Sequence, residues 1–154
     1  MQVNKNQGVH EKGELTLSEV LEQVRRNPEF HKAGAIGIFI GVVRGKTPRG
    51  EPVRKLALEA YEEKANEDLR RICEELQKRK GVIDAQIHHF IGEFDVGEDL
   101  VYVVVAGAHR QDVFLTLEEA VDRYKKEVPI FKKEWVLSEQ GTPRSYWVSE
   151  RETS

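Results

Sequence analysis

The sequence predicts an α+β fold, with a mixed or antiparallel sheet and packed helices in a single compact domain. Three observations lead there. Val101-Tyr-Val-Val-Val-Ala-Gly-Ala108 is a mostly apolar, β-branched-rich run that reads as a strand buried on both faces. Two segments with helical periodicity, 64–80 and 111–128, lie on either side of it, and further strand-like runs are distributed along the chain. A length of 154 residues with 39% hydrophobic content suits one domain with a real core.

Taken in order, residues 1–14 are polar and read as a flexible N-terminal tail, leaving 15–154 as the single folded domain. Leu17, Val20, Leu21 and Val24 have helical spacing, with Thr16 or Ser18 as candidate caps, and Asn27-Pro28 ends that helix. Gly34–Val43 reads as a strand whose three glycines imply close backbone approach or a bulge. Gly45–Pro52 reads as a mobile basic loop. Val53–Tyr61 alternates apolar with charged residues and reads as a strand. Lys64–Lys80 places Leu69, Ile72, Cys73 and Leu76 on one helical face, closed by Gly81. Ile83–Phe94 is a strand with an irregular end near Gly92, and 95–99 turns the chain into the central strand. Gln111–Val128 is a helix stopped by Pro129. Ile130–Leu137 and Tyr146–Val148 are strands separated by the Gly141-Thr-Pro143 turn.

Composition narrows the function. The formal net charge of −3 gives no general attraction for nucleic acid, so any bound anion must be caught by a local cluster. A single cysteine, Cys73, forbids an internal disulfide and suits a reducing cytoplasm. No Cys/His grouping has metal-site spacing, no apolar stretch suits a membrane span or signal peptide, and no P-loop, dinucleotide-binding glycine motif or Ser-His-Asp signature occurs. The expectation is a cytoplasmic protein with no metal, no membrane and no nucleic-acid partner.

The candidate chemistry is cationic. His109-Arg110 stands where the central strand hands over to a helix, and a helix N-terminus favours anions. Arg44 follows an apolar strand in the same way, and its planar fork suits phosphate or carboxylate. Within 111–128 the apolar stripe runs through Val113, Leu117, Ala120, Val121 and Tyr124. At ~100° per residue Lys125 falls on its flank and Lys126 nearly opposite. Lys125 is therefore a candidate partly buried amine, with a snorkelling lysine as the plainer alternative. Lys132 and Lys133 occupy alternate faces of the next strand, so only one can face a given pocket, and periodicity leaves open which. Phe131 and Trp135 share Lys133's face and are candidate core. Cys73 reads as inert packing. His88 and His89 face opposite ways, and His10 and His31 lack sequence companions.

Several segments together resemble a known family. They are Gly34-Ala-Ile-Gly-Ile-Phe-Ile-Gly-Val-Val-Arg44, Leu58-Glu-Ala-Tyr61, Ile91-Gly-Glu93, Ala108-His-Arg110, Pro129-Ile-Phe-Lys-Lys-Glu134 and Trp147-Val-Ser-Glu-Arg151. In order and spacing they resemble the large, catalytic subunit of molybdopterin synthase, over about residues 16–152. The resemblance implies an α/β hammerhead fold and a sulfurtransferase of molybdenum cofactor biosynthesis. The implied reaction converts cyclic pyranopterin monophosphate to molybdopterin. Both sulfurs come from the C-terminal Gly-Gly thiocarboxylate of a small ubiquitin-like subunit, within a heterotetramer built on a homodimer of the large subunit. No cofactor is implied. By motif the family's functional lysines fall on Lys125 and Lys132. Arg44, His109 and Arg110 would hold the substrate phosphate, Phe39 would line the pocket, and Arg151 would complete it from the other subunit. Phe131-Lys-Lys133 stands where some relatives carry Trp-Lys-Arg, the 45–51 loop varies in the family, and residues 1–14 match nothing in it. Two alternatives remain open on the residues alone. One is a non-catalytic binding module for a ubiquitin-like tail. The other is a phosphate-ester or nucleotide-binding hydrolase using the same cationic pocket.

Overall fold

The computed structural model describes residues 7–137, 141 and 143–149. Its elements are β1 (Gly8–Glu11), α1 (Leu17–Arg25), a 3-10 turn (Phe30–Lys32), β2 (Ala35–Val42), β3 (Val53–Ala60), α2 (Glu62–Gln77), β4 (Val82–Phe94), β5 (Asp99–Gly107), α3 (Arg110–Glu127), β6 (Ile130–Leu137) and β7 (Pro143–Ser149). The strands form one sheet in the order β2-β5-β4-β3-β6-β7, and β1 adds to β4 in parallel. All other pairings are antiparallel, so the sheet is mixed. Among the described residues no helix is long and apolar enough to cross a membrane.

The central run is buried along its whole length from Val101 to Gly107, as its lack of polar alternation requires. β5 is covered on both edges, by β2 and β4. α2 packs on β4, and α3 packs on β2 and β5. Thr16 caps α1 by accepting from the Glu19 N–H. α2 starts at Glu62, two residues before the apolar periodicity does, because two glutamates favour the positive end of the helix dipole.

The glycines of β2 are explained by packing. A Cβ at Gly37 would lie 2.5 Å from Val113 Cγ1 of α3, and one at Gly41 would lie 2.6 Å from Val101 Cγ1. The strand also bulges between Gly41 and Val42.

Five expectations need correction. The polar stretch 1–14 is not loose throughout. β1 pairs with His88–Ile91, Asn66 Oδ1 accepts from the Val9 N–H at 2.7 Å, and Lys12 reaches Glu98 at 2.7 Å. A strand recruited by backbone pairing carries little apolar signal of its own. His10 does have a companion, since its Nε2 lies 2.8 Å from His88 Nδ1 and the rings stack. The 45–52 loop is closed on itself through a Lys46–Pro52 bridge, a Thr47 N–H to Glu51 carbonyl bond and Gly50 at φ +86°. Finally, Phe131 is exposed and Trp135 half-buried. They belong to an outer aromatic face, where Lys133 lies over Trp135 and Trp147. β7 also begins earlier than expected, at Pro143, because Arg144 and Ser145 pair with Val136 and Trp135.

Candidate active site

Four of the residues singled out in the sequence line one cavity of about 320 Å³: Phe39, Arg44, Lys125 and Lys132. Three elements bring them together. β2 supplies Phe39, on the same strand face as Gly37 and Gly41, and its last turn delivers Arg44. That turn is pinned by the Val43 N–H donating to the Glu98 carbonyl at 3.0 Å and the Gly97 N–H donating to the Val43 carbonyl at 2.9 Å. α3 supplies Lys125 from its last turn, where the helix dipole favours a cation. β6 supplies Lys132 in the strand that follows Pro129 directly.

The two lysine doublets resolve by face. Lys125 is half-buried and lines the cavity, whereas Lys126 is exposed. Lys132 is only 9% exposed and points into the cavity, whereas Lys133 takes the opposite face of β6. Periodicity separated the first pair. The second needed the tertiary register, in which Lys132 pairs with Leu58 of the buried core and Lys133 with Ala57.

The cavity also holds residues that sequence reasoning did not single out. Glu134 is 7% exposed and sits two residues from Lys132 on the same strand face. Its Oε1 lies 3.4 Å from Lys132 Nζ, and its Oε2 accepts from the Tyr146 hydroxyl at 3.1 Å. The available signal was parity: a carboxylate at i+2 of a candidate lysine in a strand shares its wall. Burial, reinforced by the Glu134 charge, raises the Tyr146 hydroxyl pKa and keeps it a proton donor. His89 is fully buried at the cavity wall. Its Nδ1–H donates to the Phe90 carbonyl at 3.0 Å, and its ring meets Tyr124 edge-on at 5.5 Å. His88, on the other strand face, joins a polar chain: its Nε2–H donates to Gln86 Oε1, and Gln86 donates to Asp84.

His109 and Arg110 lie elsewhere within this chain. β2 and β5 run antiparallel, with Val42 opposite Asp99 and Ala35 opposite Gly107. Arg44 therefore sits at one end of β5, and His109-Arg110 at the other, roughly 26 Å of strand away at ~3.3 Å per residue. Both are exposed. The N-terminus of α3 already has an internal anion, because Asp112 accepts from the His109 N–H at 3.2 Å and its carboxylate lies 3.4 Å from His109 Nδ1. Arg151 lies outside the described residues. Burial pushes the Cys73 thiol up to about 12, which makes it a poor nucleophile.

A second, more apolar groove of about 620 Å³ shares Lys125 with the cavity. Tyr61, Pro129, Phe131 and Trp147 line it, and Tyr61 meets Phe131 edge-on at 5.4 Å.

Comparison with known proteins gives a consistent picture. The family model described as MoaE protein matches residues 10–127. A probable molybdopterin synthase of Haloferax volcanii is 39% identical over 138 residues, 89% of this chain and 51% of that protein. The chain thus spans about half the length of that relative. A molybdopterin synthase catalytic subunit of Bacillus subtilis is 38% identical over 132 residues, 84% of this chain and 83% of the relative. Among solved structures, molybdopterin synthase from Staphylococcus aureus superposes with a TM-score of 0.80 at 28% identity, covering 95% of this chain and 98% of that one. A complex of subunits 1 and 2 of molybdopterin-converting factor from Helicobacter pylori shares the fold, with a TM-score of 0.65 at 21% identity and 82% coverage of each chain.

Proposed function

The chain belongs to the MoaE protein family, and on that premise we propose that it is the catalytic subunit of a molybdopterin synthase, a sulfurtransferase that converts cyclic pyranopterin monophosphate to molybdopterin. The observation that carries this reading is the single cavity shared by Arg44, Lys125, Lys132 and Phe39. The substrate bears a cyclic phosphate, which the guanidinium fork of Arg44 suits. Phe39 offers an aromatic wall for a flat ring system. Building a dithiolene requires sulfur addition to the substrate side chain and loss of oxygen-bearing groups, with proton transfers at each stage. Lys125 and Lys132 supply amines that stabilise developing negative charge or carry those protons.

The sulfur donor is a small ubiquitin-like subunit ending in a Gly-Gly thiocarboxylate. Its extended tail suits the apolar groove of Tyr61, Pro129, Phe131 and Trp147, because that groove leads to Lys125 at the cavity. After transfer, water releases the carrier's acyl group as a carboxylate. Cys73 has no part in this, in keeping with its burial.

The functional unit is a homodimer with a small subunit on each large one. β2 is an edge strand that exposes Ile38, Ile40 and Val42, an apolar row suited to a second copy of the chain. His109, Arg110 and Arg151 reach the phosphate across that dimer, which accounts for the separation of His109-Arg110 from Arg44 within one chain.

The test is molybdopterin formation from purified chain, thiocarboxylated carrier and substrate. Formation that is lost in Lys132→Ala supports the reading. Carrier binding without sulfur transfer would favour a binding module, and release of inorganic phosphate would favour a hydrolase. Mixing Lys125→Ala with His109→Ala subunits should restore about a quarter of wild-type activity if sites are shared, because about half of randomly exchanged dimers carry one intact site. No recovery despite verified subunit exchange would overturn the shared site.

A further inference from the structure

Lys132 and Glu134 form a buried pair with an unusual spacing. Their side chains share a face of β6, and both are under a tenth exposed, yet Nζ and Oε1 stand 3.4 Å apart. A tight ammonium–carboxylate contact closes to about 2.7–2.9 Å, and a buried carboxylate is costly unless its oxygens find partners. The other oxygen of Glu134 has such a partner in Tyr146, which sits directly opposite it across the β6–β7 ladder and donates at 3.1 Å.

Tyr146 is itself held. The Arg144 guanidinium lies 5.6 Å from its ring centroid, and Arg144 pairs with Glu51 at 2.5 Å. Glu51 belongs to the closed 45–52 loop, in which its N–H donates to Thr47 Oγ1 at 3.1 Å. The tyrosine hydroxyl is therefore presented to Glu134 from a fixed position rather than from a free rotor.

We propose that Tyr146 is a positioning residue for Lys132: its hydroxyl engages Glu134 and holds the carboxylate back, so that the ion pair stays at 3.4 Å and the lysine amine remains available to substrate instead of closing into a tight hydrogen-bonded contact. The inference rests on the reading of Lys132 as a catalytic lysine. Without the hydroxyl, Glu134 rotates toward Lys132 and occupies the amine.

The test is Tyr146→Phe in the complete synthase, which keeps the ring and its stacking with Arg144. The expected result is a roughly tenfold fall in kcat, the scale of one hydrogen bond to a charged group, with KM for the carrier and for the substrate within about twofold of wild type. In a crystal structure of Tyr146→Phe the Lys132–Glu134 separation should fall below 3 Å. In a Glu134→Gln background, where no carboxylate remains to be restrained, adding Tyr146→Phe should change kcat by less than about twofold. Unchanged kcat in Tyr146→Phe, or the same fold-loss in both backgrounds, overturns the proposal. Lys132→Ala separates the two levels. If it is inactive while Tyr146→Phe is fully active, only the positioning role fails. If it retains full activity, the reading of the site fails and the positioning role with it.

Discussion

Acidification should weaken the fold through His88. This imidazole is fully buried on β4, and burial, reinforced by neighbouring His10, pushes its pKa down from 6.5 to about 3. The folded protein thus keeps His88 neutral at mildly acidic pH, while the unfolded chain protonates it below about 6.5. The unfolded state binds the extra proton, so stability present above that pH is lost progressively as pH falls toward 3. Between pH 7 and pH 5 the loss comes to about 2 kcal/mol, taking about 1.4 kcal/mol per pK unit. For a chain of this size that is a drop of roughly 4–8 °C in Tm. The hydrogen-bond pattern gives the same sign. His88 Nε2–H donates to Gln86, so Nδ1 must stay bare to accept from His10, and a proton there breaks one of the contacts that hold β1. The assay is thermal or urea unfolding of wild type and His88→Gln from pH 7 to pH 5. Glutamine keeps an acceptor for His10 but cannot titrate, so the variant should lose about 2 kcal/mol less than wild type over this interval. Parallel pH profiles for the two proteins would refute the reasoning.

Lys125→Ala and Lys132→Ala should each lower molybdopterin formation at least about tenfold, with Lys126→Ala near wild type, since a positioned proton-transfer group contributes on the order of 10²–10⁴. Equal damage from Lys126→Ala in a steady-state assay would contradict the placement of the doublet. Arg44→Ala should weaken substrate binding by roughly 1.5–3 kcal/mol, the range for a charge-assisted contact, and calorimetric titration with unchanged affinity would count against a phosphate role. Gly37→Ala should destabilise by about 1–3 kcal/mol, because its Cβ would press on Val113 at the β2–α3 contact. An unchanged urea midpoint would show that α3 can yield there.

The sequence made much of the fold legible where one physical signal dominated. β5 was visible because a strand buried on both faces must be continuously apolar, and β6 because Pro129 marks its start. Lys125 was separable from Lys126 because a helix of known phase assigns each residue an angle. β1 is hard to see in sequence because its attachment is mostly polar, through backbone pairing, the Asn66–Val9 hydrogen bond, the His10–His88 contact and the Lys12–Glu98 ion pair, with Val9 alone packing on the core, too little for a hydrophobic pattern. Their size marks Phe131 and Trp135 as candidate core, whereas here they build an outer face with Tyr61 and Trp147. The pairing of Glu134 with Tyr146 is hidden in sequence for a different reason. Their contact joins positions on separate strands, and only the register of β6 against β7 sets them face to face.

The doublet Lys132-Lys133 gives β6 a form of error tolerance. A strand has only two settings, odd in or even in, and a single-residue deletion after Pro129 exchanges them. In most strands such a slip would replace every inward side chain with one of a different kind. Here either setting offers the cavity an amine, so that element of the chemistry would survive the error. Its surroundings would not: the slipped strand would turn Trp135 inward in place of Glu134 and leave the Tyr146 hydroxyl facing an aromatic ring instead of a carboxylate. A frameshifted β6 would therefore keep its lysine and lose its control, a distinction visible only when binding and turnover are measured separately.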